Sequence, residues 1–201
     1  MKPLLPSLLP LSLSALLAFA PSAAARNIFD FFTKAPTFTP PAGCMAKEQT
    51  YGVLSRCEKT IAPGRTFTAV IDTAIGVYPS SEDFVTDHVS DIKSYWQHDY
   101  EGKNVSFSSK VSDVVPGNAP PQGANCMEYS ITETEKVSGE EAVLRVEGLT
   151  CAWRVEPPVP KKQNVELFWL EAYDEYVPSI GQKPMESFDP IVRALFASVR
   201  M

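Results

Sequence analysis

The sequence predicts an α+β fold: a mostly antiparallel sheet of about five strands, in the order β-α-β-β-β-β-α, with helices packed on it. Three observations predict it. Apolar residues alternate over 66–77, the period-two pattern of a strand with one buried face. They recur at helical spacing over 80–98 and again over 189–199. Between those helices lie several long strand-like runs separated by turn residues, the order of a sheet with helices laid against it.

The chain opens with one charge, Lys2, then an apolar run from Leu4 to Phe19, then Pro21-Ser22-Ala23-Ala24-Ala25. A basic start, a short apolar core and small residues at a cleavage site are the grammar of a secretory signal peptide. Residues 1–25 are therefore expected to be removed before Arg26, with an uncleaved anchor as the alternative. The run falls short of the roughly 20 residues that span a bilayer, and Pro3, Pro6 and Pro10 weaken its helix. No cysteine follows it to carry a lipid, and no second long apolar stretch exists, so no transmembrane segment is expected after signal cleavage. The expected location is periplasmic or extracellular.

Residues 26–65 read as an N-terminal arm. Pro36, Pro40 and Pro41 oppose regular structure at its start and Pro63-Gly64 ends it, while residues 46–56 suit either a short helix or a strand. The domain follows over 66–201. Phe67, Ala69, Ile71, Thr73, Ile75 and Val77 mark its first strand, which Pro79 ends. Ser80 then offers an N-cap with Glu82 and Asp83 in the first turn, where acids favour the helix dipole. Phe84, Val85, Val89, Ile92 and Trp96 form the buried stripe of that helix, to about His98. Val105, Phe107, Val111 and Val115 alternate along a second strand, and residues 116–121 form a loop.

Two further strands, 125–137 and 140–155, flank Ser138-Gly139. A two-residue turn there places Ile131 opposite Val146, Lys136 opposite Glu141 and Cys126 opposite Cys151. The two cysteines then occupy a non-hydrogen-bonded pair, with Cα atoms ~4.5 Å apart and within disulfide reach. Cys44 and Cys57 pair by elimination. A bulge at Gly148, near which the apolar phase changes from Leu144 and Val146 to Leu149, Cys151 and Trp153, would shift this register by one. An even set of cysteines in an exported chain reads as disulfides, and spacings of 13 and 25 residues are unlike those of zinc ribbons. After a Pro157-Pro158-Val159-Pro160 loop, Val165 to Val177 is apolar on both faces, as a central covered strand is. Asp189 caps a last helix with Pro190 at its first position and Ile191, Val192, Leu195, Phe196 and Val199 as its buried stripe.

This element order, the phrase Cys126-Met127-Glu128-Tyr129-Ser130, the late Cys151 and the closing helix from Phe188 to Val199 resemble the Mog1/PsbP-like α/β/α sandwich of small exported bacterial proteins. The resemblance covers residues 66–201 and leaves out the arm. It implies a binding or assembly accessory without chemistry of its own.

The chain carries 18 basic and 24 acidic residues, a net charge of −6, and loss of Lys2 with the signal peptide deepens the deficit. Nucleic-acid binders present basic faces, so no nucleic-acid partner is expected. His88 and His98 lie ~15 Å apart along one helix and cannot share a metal ion. There is no Gly-x-Ser-x-Gly elbow and no Gly-rich phosphate loop, so no catalytic residue, metal or cofactor is assigned. Glu171 and Glu175 are ~13 Å apart on a strand, too far for a glycosidase pair, and Glu133 and Glu135 read as a solvated face beside a turn. Asn104-Val105-Ser106 matches a glycosylation sequon, which matters only in a eukaryotic secretory pathway. Trp96, Trp153, Trp169, Tyr95, Tyr100, Tyr129, Tyr173 and Tyr176 satisfy core periodicity and are read first as core, with a ligand groove or partner surface as the second reading.

The expected function is an exported, non-catalytic binding or assembly module whose partner is a protein or a small apolar ligand. The alternative is an exported hydrolase with a spatially assembled site. Convergence of His88, His98, Glu171, Asp174 and Glu175 in a pocket would favour the hydrolase. A third reading has the arm dock on a partner.

Overall fold

The computed structural model describes residues 37–48, 55–98, 103–113, 124–137, 139–159 and 162–200. The signal peptide read at 1–25, the start of the arm, Tyr100, Val115 and the loop read at 116–121 lie outside them. The elements are β1 (Met45–Glu48), β2 (Ser55–Ala62), β3 (Arg65–Tyr78), α1 (Ser81–Trp96), β4 (Lys103–Val111), β5 (Asn125–Val137), β6 (Glu140–Val159), β7 (Lys162–Tyr176), a 3₁₀ turn (Pro178–Ile180) and α2 (Phe188–Ser198). Among the described residues the strands form one sheet, ordered β1-β2-β3-β7-β6-β5-β4, with every pairing antiparallel.

The sheet has seven strands rather than about five, because the arm supplies two. Arg56, Glu58, Lys59 and Thr60 hide the strand in β2, where polar side chains face water near a sheet edge. Cys57, fully buried, and Ile61, packed on the core, are its inward anchors. Ala62 pairs with Arg65 across Pro63-Gly64, and Gly64 takes φ +72°, the backbone such a turn asks of glycine. Thr37 and Arg200 exchange two backbone hydrogen bonds of 2.8 Å, tying the arm to the C-terminus. The described part of the arm is thus built into the chain's own fold.

β7 sits at the middle of the sheet, as its two apolar faces demand. Val165 and Leu167 point to one side, where Phe84 and Val85 of α1 cover them together with Ala152. Phe168 and Leu170 point to the other, onto Leu149, Cys151, Trp153 and the Phe188, Val192, Leu195 and Phe196 stripe of α2. The helices therefore lie on opposite faces, an α/β/α sandwich. This explains the apolar phase change near Gly148. β6 keeps one register along its pairing with β5 (Tyr129 opposite Gly148, Cys126 opposite Cys151), and its burial passes from the α1 face to the α2 face.

The Cys126–Cys151 disulfide joins β5 to β6 under α2 with Cα atoms 4.1 Å apart. Cys44–Cys57 clips the residue before β1 to β2 with Cα atoms 5.6 Å apart.

Two boundaries differ from the sequence reading. The Pro157-Pro158-Val159 segment belongs to β6 and not to a loop. β5 starts opposite Ala152, so beyond that point β6 is an edge on that side, where missing N–H donors are tolerated, and its register to β7 shifts between Val155 and Val159. The N-cap position of α2 is Ser187, two residues earlier than expected and without a side-chain cap bond, and Asp189 instead binds Arg145 at 2.8 Å from within the first turn.

Candidate functional site

Ser80 caps α1, its hydroxyl oxygen accepting from the Asp83 N–H at 3.1 Å. The helix crosses the sheet with Phe84, Val85 and Val89 buried. Toward its C-terminal end Ile92 and Trp96 still pack on the sheet, and a cleft of about 590 Å³ opens beside them between α1 and the strands. His88, Asp91, Ile92, Tyr95 and Trp96 form the helix wall. Lys103 of β4, Glu133 of β5, Leu144 of β6, and Glu171 and Tyr173 of β7 form the sheet wall.

Glu171 is held at this wall by two phenols. Gly148 stands opposite Tyr129 on one side and opposite Glu171 on the other, so three strands meet at a residue without a side chain. The Tyr129 ring lies over that vacancy, since a Cβ at position 148 would overlap its Cζ, Cε2 and Cε1. Its hydroxyl donates to Glu171 Oε1 at 2.6 Å, and the Tyr173 hydroxyl donates to Oε2. Burial raises the pKa of both phenols, and the adjacent Glu171 charge adds to the rise. Both keep their protons and donate, so Glu171 accepts at each of its oxygens.

Glu133, expected to be solvated, is instead buried at 8% exposure and accepts from Lys103 Nζ at 2.8 Å. The sequence offered one signal for this: an edge-strand lysine lands beside the hairpin acids, with Lys103 opposite Glu135 in register.

His88 packs against Trp169, ring centroids 4.9 Å apart, and its buried Nε2 has no hydrogen-bond partner among the described residues. Burial lowers its pKa below the ordinary histidine value, with Asp91 partly opposing the shift. The unfolded chain then takes up a proton before the folded one does. Stability contributed here is present above the unfolded value near 6.5 and is lost as pH falls below it. Urea titrations should show that His88→Gln flattens the rise in stability with pH up to 6.5. Glu147, whose carboxyl burial holds above its usual value, gives an opposite slope at lower pH in both proteins, so the difference isolates His88.

Of the residues whose convergence would favour catalysis, His88 and Glu171 line this one cleft. Asp174 lies fully buried on the α2 face, paired with Arg65. Glu175 lines a second recess of about 840 Å³, with Val70, Tyr176, Val177 and Ile180. The two cavities share Leu144 and Tyr173, so they are neighbouring parts of one groove. His98 is exposed beyond the end of α1. Among the described residues no group of three or more His, Cys, Asp or Glu could hold a metal ion. The aromatics divide: Trp153 and Tyr129 are core, while Tyr95, Trp96 and Tyr173 line the cleft.

The chain is similar in fold to LpqN of Mycobacterium tuberculosis, a protein involved in cell envelope biogenesis. The TM-score is 0.50 over 82% of this chain and 81% of that one, at 10% identity. The likeness is one of architecture alone. Human STARD10 aligns over 77% of this chain and 70% of its own with a TM-score of 0.26 and 11% identity, too low to bear on either fold or site. No protein-family model and no curated protein matches the chain.

Proposed function

We propose that this chain is an exported, non-catalytic binding module that takes a small ligand with an apolar body into the cleft between α1 and the sheet. The observation that carries the reading is the cleft: its volume lies within the range of small-molecule sites, and its Ile92, Tyr95, Trp96, Leu144 and Tyr173 walls surround a few fixed polar groups. Two disulfides suit an oxidising compartment outside the cytosol. LpqN, similar in architecture, is involved in cell envelope biogenesis, and an envelope accessory role agrees with that.

Titration with Nile red, a neutral apolar fluorophore, tests this. Binding should be saturable, and Trp96→Ala should weaken it about tenfold, the equivalent of ~1.4 kcal/mol. Unchanged affinity in Trp96→Ala would remove the cleft as the site.

A hydrolase is the rival reading, because His88 and Glu171 line the same cleft. Glu171 accepts at both oxygens and Glu133 is held by Lys103, which leaves His88 to move a proton. Turnover of p-nitrophenyl butyrate that His88→Gln abolishes, with Nile red binding retained, would favour that reading.

A further inference from the structure

We infer that the cleft recognises a protonated amine, an alkylammonium head on an apolar body, with Glu171 as its counter-ion. The inference rests on the cleft being a binding site and names the chemistry of its ligand. Three observations converge on it.

The first is charge. Asp91, Glu133 and Glu171 line the cleft against the single cation Lys103, whose ammonium already lies 2.8 Å from Glu133 and 3.8 Å from Glu135. An anionic head would meet this excess of carboxylates in a half-buried space where solvent screens poorly. A cationic head would relieve it.

The second is preorganisation. The Tyr129 and Tyr173 hydroxyls fix both oxygens of Glu171, and the Tyr129 ring is locked over Gly148. A carboxylate has about four acceptor positions, so two phenols leave room for the N–H groups of a ligand. Fixing the carboxylate beforehand removes the ordering cost from binding.

The third is the aromatic surface of the cleft. Tyr95, Trp96 and Tyr173 add aromatic faces that attract a cation at close range. Beyond Leu144 and Tyr173 the groove continues past Val70, Val177 and Ile180, a path for the apolar body. The arginines of that second recess are opposed, Arg56 by Glu58 at 2.6 Å and Arg65 by Asp174 at 2.5 Å, so head selection falls to the first cavity.

Octylammonium, 1-octanol and octanoate share a tail and differ in head. Titrated at pH 7.4 into the purified protein, they can be followed by NMR at the indole N–H signals of Trp96 and Trp169. Octylammonium should bind at least tenfold tighter than the other two, and Glu171→Gln, which preserves volume, should erase the preference. Equal or tighter binding of 1-octanol or octanoate at the same signals would overturn the inference and leave the cleft as an apolar site. No response to octylammonium at millimolar concentration would also overturn it. Only failure of Nile red in addition would take the binding reading with it.

Discussion

Asp174→Ala is expected to lower the unfolding free energy by about 3–5 kcal/mol, the usual consequence of stranding one partner of a buried ion pair. The Asp174 side chain is fully buried and that of Arg65 is 10% exposed, with Nη2 and Oδ1 2.5 Å apart. The pair does not stand alone. Arg65 Nε donates to the Glu175 carbonyl at 3.1 Å and Nη1 to the Lys183 carbonyl at 2.7 Å, while Asp174 Oδ2 accepts the Met185 N–H at 2.8 Å. One cluster thus joins the start of β3, the end of β7 and the segment that leads into α2. Without Asp174 the guanidinium keeps its two carbonyls but loses its counter-charge, and the Met185 N–H loses its acceptor. Urea unfolding would measure the loss. Arg65→Ala/Asp174→Ala should cost less than the two single changes added together, because the double variant leaves no unpaired charge. A loss below about 1 kcal/mol for Asp174→Ala would mean that water reaches and satisfies Arg65.

What could be read from the residues alone follows from how local each signal is. The β5–β6 register was legible because turn chemistry counts outward from Ser138-Gly139, and Val137 does pair with Glu140. β7 announced itself as central because both faces are apolar over one continuous run. Burial that depends on a neighbour distant in sequence was hidden. Glu133 reads as solvated until Lys103, thirty residues earlier, is laid along the adjacent edge. Asp174 reads as one more acid near the end of that strand until Arg65, more than a hundred residues earlier, is brought beside it by the β3–β7 pairing. The cleft was legible only as a surplus of aromatic residues. Which of them fill the core and which line a wall depends on where α1 stops covering the sheet.

Gly148 shows that dependence most sharply, and Gly148→Ala is the second change expected to have a large effect. From sequence, a glycine inside a strand suggests a bulge. Here the register runs through it unbroken, and the missing side chain makes space for the Tyr129 ring. A methyl group at position 148 overlaps that ring, so either Tyr129 turns out of a site where it is 1% exposed or the strands part. Overpacking of this kind costs up to about 3 kcal/mol. Losing the Tyr129 hydroxyl from Glu171 adds roughly 1.5 kcal/mol or more, since hydrogen bonds to charged groups are among the stronger ones. A total near 4 kcal/mol should appear in urea unfolding. The same change should reach the cleft, because a displaced Tyr129 no longer fixes Glu171 Oε1. Tyr129→Phe separates the two consequences. It keeps the ring over Gly148 and removes only the hydroxyl, so it should lose about 1.5–3 kcal/mol while weakening octylammonium binding by a factor similar to Gly148→Ala. If Gly148→Ala were as stable as the parent, the ring would have another place to go, and the fixed carboxylate on which amine recognition depends would not be locked by packing at all.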